Sequence, residues 1–182
     1  LQGGGTAAEI TIENTEVRAS FIPDLGGKIS SLYHKGLKRE FIARSGLPYR
    51  ARKYDTAWTD TETDGVDECF PAIGKGPYPD GPWQGSVIPD HGELWSVPWA
   101  VEPAKKEING VALIAQGLHF PYTFKRTARL EGSRLVLDYE VKNRSSESLR
   151  YLYAFHGLLA GSDGAKLSFP PGTKMIVGGS AG

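Results

Sequence analysis

The sequence predicts an all-β protein, most simply an antiparallel β-sandwich. Short runs of alternating apolar and polar residues recur along the chain, as expected of half-buried strands. No stretch of about a dozen residues combines helical periodicity with helix caps. Many of the 23 glycines and 12 prolines fall between the apolar runs, where they favour turns. These observations favour many short strands over helices.

The N-terminal part of the chain predicts strands separated by tight turns. Residues 9–11 and 17–22 form a strand–turn–strand pattern. Gly26 and Gly27 mark a turn where the backbone needs positive φ, and a third strand follows at 28–33. Residues 41–43 are predicted as a fourth strand.

The C-terminal part predicts longer strands joined by hairpin turns. The predicted strands are residues 99–101, 111–115, 122–130, 135–141 and 149–155. Gly132-Ser133 and residues 143–146 carry the turn-forming residues expected between antiparallel neighbours. Between the two groups of strands, residues 64–95 show little periodicity and are rich in Gly and Pro. Long irregular loops on a rigid scaffold are often functional.

Composition bounds the class of protein and its partners. Hydrophobic residues make up 40% and charged residues 23%, which is typical of a globular domain. The formal net charge is zero and no apolar run approaches the ~20 residues that span a bilayer, so we expect neither a nucleic-acid nor a membrane partner. Cys69 is the single cysteine and cannot form an internal disulfide, which favours a reducing compartment; we predict a cytoplasmic protein.

The length of 182 residues suffices for one domain with a substantial core. We predict a flexible leader over residues 1–8, which lacks the basic and apolar regions of a signal peptide. A single β-sandwich domain is predicted over residues 9–182.

Opposite charges are concentrated in neighbouring segments. Residues 35–53 are strongly basic, and residues 55–68 are acidic. Such blocks pair with each other or face solvent. A second interpretation is that Arg50 or Arg52 enters a ligand pocket and binds hydroxyl groups or a phosphate.

Two of the four histidines are candidates for chemistry. His91 lies between Asp90 and Gly92 in the long loop, and His156 follows an aromatic strand. Imidazole titrates near neutral pH, so two convergent histidines could transfer protons at a sugar or other polyol. A histidine that ends an apolar strand is also a common core residue. The spacing leaves both interpretations of His156 open.

The remaining candidates favour structural roles. His34 is predicted to be solvated in a polar turn, and His119 to be structural at the start of a strand. His91, Glu93 and His156 offer nitrogen and oxygen ligands, but the sequence has no metal-binding motif, and we predict no metal and no cofactor. Cys69 lacks a basic neighbour and is predicted to be a buried small hydrophobe.

Four segments, in this order, resemble motifs of the aldose 1-epimerase (galactose mutarotase-like) superfamily. They are an early glycine-containing strand (PDLGGKISSL, 23–32), an acidic Cys-aromatic-Pro segment (DGVDECFP, 64–71), a His-Gly motif with downstream tryptophans (HGELW, 91–95), and a strand with an Asn turn before a second histidine (LVLDYEVKN, 135–143, then His156). Together they span nearly the whole chain.

The resemblance implies a large β-sandwich that binds a sugar in a cleft on one sheet. It implies that His156 acts as general acid on the ring oxygen and that His91 binds and polarises the same region. We predict further substrate contacts from Arg50, Asp67, Glu68, Glu93 and Trp95. Trp95 either stacks on a sugar face or is a buried structural residue. The implied reaction, interconversion of the α and β anomers of an aldose, needs no cofactor.

The chain departs from the family pattern in two places. The family's base is a glutamate on a late strand, but no acid follows Asp163 here. Family chains are also longer, so we interpret this chain as the N-terminal part of a longer domain. Some relatives carry Arg soon after the His-Gly pair, where this chain has Leu94 and Trp95, so specificity for a sugar phosphate is not implied.

Two functions therefore remain open. One is an aldose 1-epimerase-like enzyme, and the other is a non-catalytic carbohydrate-binding module or inactive fragment on the same fold. An incomplete sandwich leaves open strand edges, which favour a homo-oligomer or pairing with a complementary chain.

Overall fold

The computed structural model of the chain describes residues 8–102, 110–166 and 168–174, and residues 1–7 of the predicted leader lie outside them. The prediction of an all-β fold is confirmed, because the described residues contain twelve strands and no α-helix. The strands are β1 (Ile10–Glu13), β2 (Val17–Ile22), β3 (Lys28–His34), β4 (Arg39–Glu40), β5 (Val66–Cys69), β6 (Gly76–Pro77), β7 (Val87–Ile88), β8 (Ala100–Glu102), β9 (Gly110–Gln116), β10 (Tyr122–Glu131), β11 (Arg134–Asn143) and β12 (Ala154–Gly157). Short 3-10 helices cover Trp58–Asp60, Gly81–Trp83 and Leu94–Ser96.

Two antiparallel sheets form the sandwich. The first has the order β1-β2-β3-β5-β12, with β4 paired to β3, and the second has the order β11-β10-β9-β8. β6 and β7 form a separate two-stranded ribbon. The neighbours β5 and β12 are far apart in sequence, and their pairing creates the site described below.

The core lies between the inner faces of the two sheets. β10 alternates buried and half-buried residues, so Tyr122, Phe124 and Ala128 point inward with the period of two expected of a strand. They meet apolar residues of the first sheet, including Phe21 and Ile29. The outer face of the first sheet is also covered near β3 and β5, where every β5 residue is buried.

A buried charge cluster crosses the core. Arg126 of β10 donates to the Glu68 carboxylate of β5 at 2.9 Å, and Tyr139 and Tyr153 donate to the same carboxylate at 2.9 and 2.8 Å. The Arg126 guanidinium also lies over the Trp99 ring, 5.1 Å from its centroid. The predicted sugar contact by Glu68 finds no support in this arrangement, because the carboxylate is fully buried between the sheets and already bound.

One side of the sandwich remains open. Some apolar side chains of β11 and β12 point toward the interior but remain exposed to solvent, including Val141 at 39% and Phe155 at 47%. A cavity of about 350 Å³ lies beside them, lined by Phe70, Phe124, Tyr139, Val141, Tyr151 and Tyr153. These residues form the open apolar face of the sandwich.

Two predicted strands differ from the observed ones. The segment 41–43 is not a strand; β4 lies just before it, and Ile42 forms an isolated bridge with Leu159. The predicted strand 149–155 begins at Ala154, because the preceding residues bond to loops: the amide of Arg150 donates to the Tyr78 hydroxyl, and that of Leu152 to the Pro71 carbonyl. No helix in the described ranges is long and apolar enough to cross a membrane.

Candidate functional site

The pairing of β5 with β12 brings the second candidate histidine to a buried carboxylate. His156 is the register partner of Asp67, and Ala154 is the partner of Cys69. Because side chains alternate along a strand, Asp67, Cys69 and His156 share one face. This is the outer face of the first sheet, opposite the face that carries Glu68.

A tight turn brings His91 to the same place. His91 and Gly92 both adopt left-handed backbone conformations, with φ of 61° and 75°. The His91 amide donates to the Ile73 carbonyl at 2.9 Å, and the Glu93 amide to the Phe70 carbonyl at 2.8 Å. A Cβ on Gly92 would lie 2.3 Å from the Phe70 oxygen, so this turn requires glycine.

The two imidazoles and one indole form a compact aromatic group. The ring centroids of His91 and His156 are 4.8 Å apart, at an interplanar angle of 64°. Trp58 stacks on His91 at 5.3 Å and meets His156 edge-on at 4.9 Å. His91, His156 and Trp58 are half-buried, so the group is open to solvent.

A network of buried charges supports this aromatic group. Asp67 accepts hydrogen bonds from Lys28 and the Trp58 indole at 3.0 Å each, and from Arg52 at 3.2 Å. Both of its oxygens are therefore bound to protein donors. Lys28 and Arg52 also pair with the buried Glu62. The Asp67 oxygens can therefore accept few further hydrogen bonds from a ligand. We conclude that Asp67 supports the site by holding Lys28, Arg52 and Trp58 in place.

The electrostatic environment holds His156 neutral. Desolvation by burial lowers the pKa of His156 below its ordinary value, and the neighbouring His91 lowers it further, against an opposing effect of Asp67. Nδ1 of His156 has no hydrogen-bond partner. Nδ1 of His91 lies 2.9 Å from the Asp90 carboxylate, but without hydrogen-bond geometry. Both rings can therefore engage a ligand.

Cys69 lies on the same face and is fully buried. Burial raises the pKa of its thiol to about 12, with further contributions from Asp67, Glu68 and Asp90. The thiol is therefore protonated at neutral pH and is not an activated nucleophile.

Glu93 and Trp95 lie beneath the turn and do not line the opening. The Glu93 carboxylate accepts from the amides of Leu118 and His119 at 3.2 and 2.9 Å and is fully buried. Trp95 is also fully buried, and the Arg52 guanidinium covers its ring at 4.7 Å. Of the two interpretations of Trp95, the structure agrees with the structural one. The predicted sugar contacts of both residues would require the turn to open.

Arg50 is exposed and does not reach the histidine pair. It lines a separate cavity of about 260 Å³ together with Arg52 and Asp60. Of the two arginines considered from sequence, Arg52 reaches the site, through Asp67 and Trp95. A larger cavity of about 630 Å³ lies near Tyr78 and Tyr151, away from the histidines.

The sequence did not predict two residues that build the site, Lys28 and Trp58, or the position of Cys69 close to the two histidines. A lysine at the start of an apolar strand, directly after Gly26-Gly27, is a signal for Lys28. Alternation along β5 would have placed Cys69 beside Asp67 once the strand was recognised. Nothing in the local sequence marks Trp58, because its position depends on how the 41–64 segment folds back over the sheet.

Comparisons with known proteins are informative at the level of structure. By sequence, no family model and no curated protein matches the chain. Among solved structures, a galactose mutarotase-like protein from Lactobacillus casei ATCC 334 is similar with a TM-score of 0.64 at 22% identity, covering 80% of this chain and 48% of that one. The Slr1438 protein from Synechocystis sp. PCC 6803 has a TM-score of 0.57 at 16% identity, covering 75% of this chain and 48% of its own. A candidate aldose 1-epimerase from Escherichia coli K12 has a TM-score of 0.55 at 15% identity, covering 79% and 49%.

The protein is thus an antiparallel β-sandwich with a half-open histidine pair on the outer face of one sheet. Its fold is that of the galactose mutarotase-like proteins, as the sequence motifs predicted. The chain spans about half the length of the solved structures that it resembles.

Proposed function

We propose that the protein binds a sugar at His91, His156 and Trp58, and that the complete protein interconverts the α and β anomers of an aldose. The observation that carries this proposal is the pair of imidazoles 4.8 Å apart, open to solvent above a buried charge network. Polar sites of this kind bind hydroxyl-rich ligands because each ring offers a donor and an acceptor. The resemblance to galactose mutarotase-like structures supports a sugar as the ligand.

In the proposed reaction, His156 acts as the general acid in its protonated form, which its lowered pKa makes the minor form at neutral pH but also a stronger acid. The bond between the anomeric carbon and the ring oxygen breaks, and its electron pair goes to the oxygen, which takes the proton from His156. A base removes the proton of the anomeric hydroxyl, so that an open-chain aldehyde forms. Rotation about the adjacent carbon–carbon bond and closure by the reverse steps give the other anomer. His91 binds the same region of the sugar and is polarised by Asp90, whose carboxylate lies 2.9 Å from its Nδ1.

The base of this reaction is proposed to lie outside the described residues. Asp67 is already bound to Lys28, Arg52 and Trp58. Asp90 faces His91. This arrangement also supports the second candidate function, a carbohydrate-binding module without turnover, because Asp67 is fully bound and the Asp90 carboxylate lies against His91.

Anomeric exchange of several aldoses, followed by NMR saturation transfer, tests the proposal. The chain is compared with His156→Ala and His91→Ala, and with His34→Ala as a matched control on β3. General acid–base catalysis contributes about 10²–10⁴-fold, so loss of exchange by at least about 10²-fold in the two site variants supports catalysis. Sugar-dependent shifts at the site without exchange support the binding module. Neither exchange nor shifts with any sugar contradicts both functions.

A further inference from the structure

Cys69, His91 and His156 form a cluster that the proposed sugar chemistry does not use as a unit. One potential ligand atom from each residue lies within 4.8 Å of the other two. The geometry points to a metal site: we propose that these three side chains bind one Zn²⁺ ion. The proposal concerns metal binding itself and rests on the geometry of the cluster, not on the sugar function. Because the ion would occupy His91 and His156, bound metal and bound sugar are expected to exclude each other.

The geometry is close to that of a zinc site. Zinc binds cysteine sulfur at about 2.3 Å and histidine nitrogen at about 2.0–2.1 Å, so ligand atoms in a tetrahedral site lie roughly 3.5 Å apart. A contraction of about an ångström from the present spacing is within the range of side-chain rotation. The backbone is already fixed, because Cys69 and His156 lie on paired strands and the Gly92 turn bonds to the chain just after Cys69.

Each imidazole offers a ring nitrogen as a potential ligand atom. Nδ1 of His156 is buried and makes no hydrogen bond, and Nδ1 of His91 makes none either, although it lies 2.9 Å from the Asp90 carboxylate. The neutral form of imidazole binds metal ions through a ring nitrogen. The Cys69 thiol must lose a proton on binding, so metal uptake is expected to release protons.

The charges around the cluster favour a cation. The supporting network contains two cations, Lys28 and Arg52, against three carboxylates, Glu62, Asp64 and Asp67. Asp90 adds a further carboxylate beside His91. These carboxylates outnumber the two cations and attract a divalent ion.

The chemistry of the ligand set selects the class of metal. One sulfur and two imidazole nitrogens suit zinc and its neighbours Co²⁺, Ni²⁺ and Cu²⁺, whereas Mg²⁺ and Ca²⁺ prefer oxygen ligands. Three protein ligands leave a fourth position for water, which is the pattern of an open zinc site.

Cobalt spectroscopy tests this proposal directly. Reduced, tag-free chain is freed of metal with a chelator and titrated with Co²⁺ as the probe. We expect one equivalent to bind, with the visible bands of tetrahedral cobalt and a near-ultraviolet sulfur-to-cobalt charge-transfer band that Zn²⁺ removes by competition. Cys69→Ser is expected to lose the charge-transfer band. His91→Ala and His156→Ala are expected to weaken binding at least tenfold, while the control His34→Ala binds as the unchanged chain does.

A measurement on the unchanged chain guards against variants that fail to fold. Imidazole NMR resonances of His91 and His156 are expected to shift with one equivalent of Zn²⁺, while those of His34 stay in place. Cobalt binding without a charge-transfer band, a band that survives in Cys69→Ser, or zinc shifts that spare His91 and His156 would each overturn the proposal.

Discussion

The imidazole of His156 packs edge-on against that of His91, with 4.8 Å between the ring centroids. Two imidazoles this close disfavour simultaneous protonation, because the second positive charge would lie against the first. With desolvation, this contact lowers the pKa of His156. At neutral pH the pair therefore offers a neutral His156 ring with a free Nδ1 to whatever enters the opening.

The lowered pKa of His156 predicts a pH-dependent stability. The pKa is below its ordinary value of 6.5 in the folded chain, so the unfolded chain binds this proton first as pH falls. The free energy of unfolding is thus expected to fall once pH drops below 6.5, and the loss is complete below the folded pKa. His156→Gln should show a shallower fall than the unchanged chain in urea unfolding at several pH values. Equal slopes for the two proteins, with His34→Gln as a reference, would contradict this.

The turn at His91 predicts that Gly92→Ala strongly lowers the free energy of unfolding. The residue has positive φ, and a Cβ would lie 2.3 Å from the Phe70 carbonyl oxygen, which belongs to the backbone and cannot move away cheaply. We expect a loss of about 3 kcal/mol or more in the free energy of unfolding. Gly85→Ala is the matched control, because Gly85 also has positive φ but no atom within 4 Å of a new Cβ. Its cost is expected to be about 1–2 kcal/mol. Equal costs for both variants would show that the contact with Phe70 is unimportant.

The buried ion pair of Arg126 and Glu68 predicts that removing the cation alone destabilises the folded chain more than removing both charges. Arg126→Met leaves a carboxylate without its cation in the core and is expected to destabilise the chain by about 3–5 kcal/mol. Adding Glu68→Gln removes the buried charge, and stability is expected to recover in part. Lys75→Met, at an exposed ion pair with Asp55, should change stability by less than about 1 kcal/mol. Urea unfolding measures all three, and a double variant less stable than Arg126→Met would contradict this account.

The open apolar face predicts self-association of the chain. Val141 and Phe155 are 39% and 47% exposed beside a cavity that other apolar side chains line. A second copy can cover this face, and we expect concentration-dependent association in sedimentation velocity. Val141→Lys should weaken it, whereas Val87→Lys, at an exposed position of β7, should not. A monomer at every concentration would contradict the prediction.

The sheet framework was predictable because alternation of apolar residues is a local signal. The predicted strand 122–130 and the turn at Gly132 match β10 and the hairpin that follows it. The predicted strand 149–155 was wrong over most of its length, because Arg150 and Leu152 bond to distant loops. The local sequence does not show whether a backbone amide bonds to a neighbouring strand or to a distant loop.

Two histidines and Asp67 of the candidate site were singled out from the sequence, whereas its other members depend on how distant segments pack. Glu93 was predicted to contact the sugar close to His91, but the turn with positive φ at His91 and Gly92 directs its carboxylate inward. Arg50 was predicted to contact the sugar, but Arg52, two residues further along the chain, is the arginine that reaches Asp67. Their roles depend on long-range packing, which spacing does not contain.

Imidazole NMR during an aldose titration shows whether a sugar binds at His91 and His156. We expect saturable shifts of the His91 and His156 ring resonances and of the Trp58 indole, with no change at His34. Saturable shifts confined to the cavity near Tyr78 and Tyr151, or no shifts with any aldose, would contradict it.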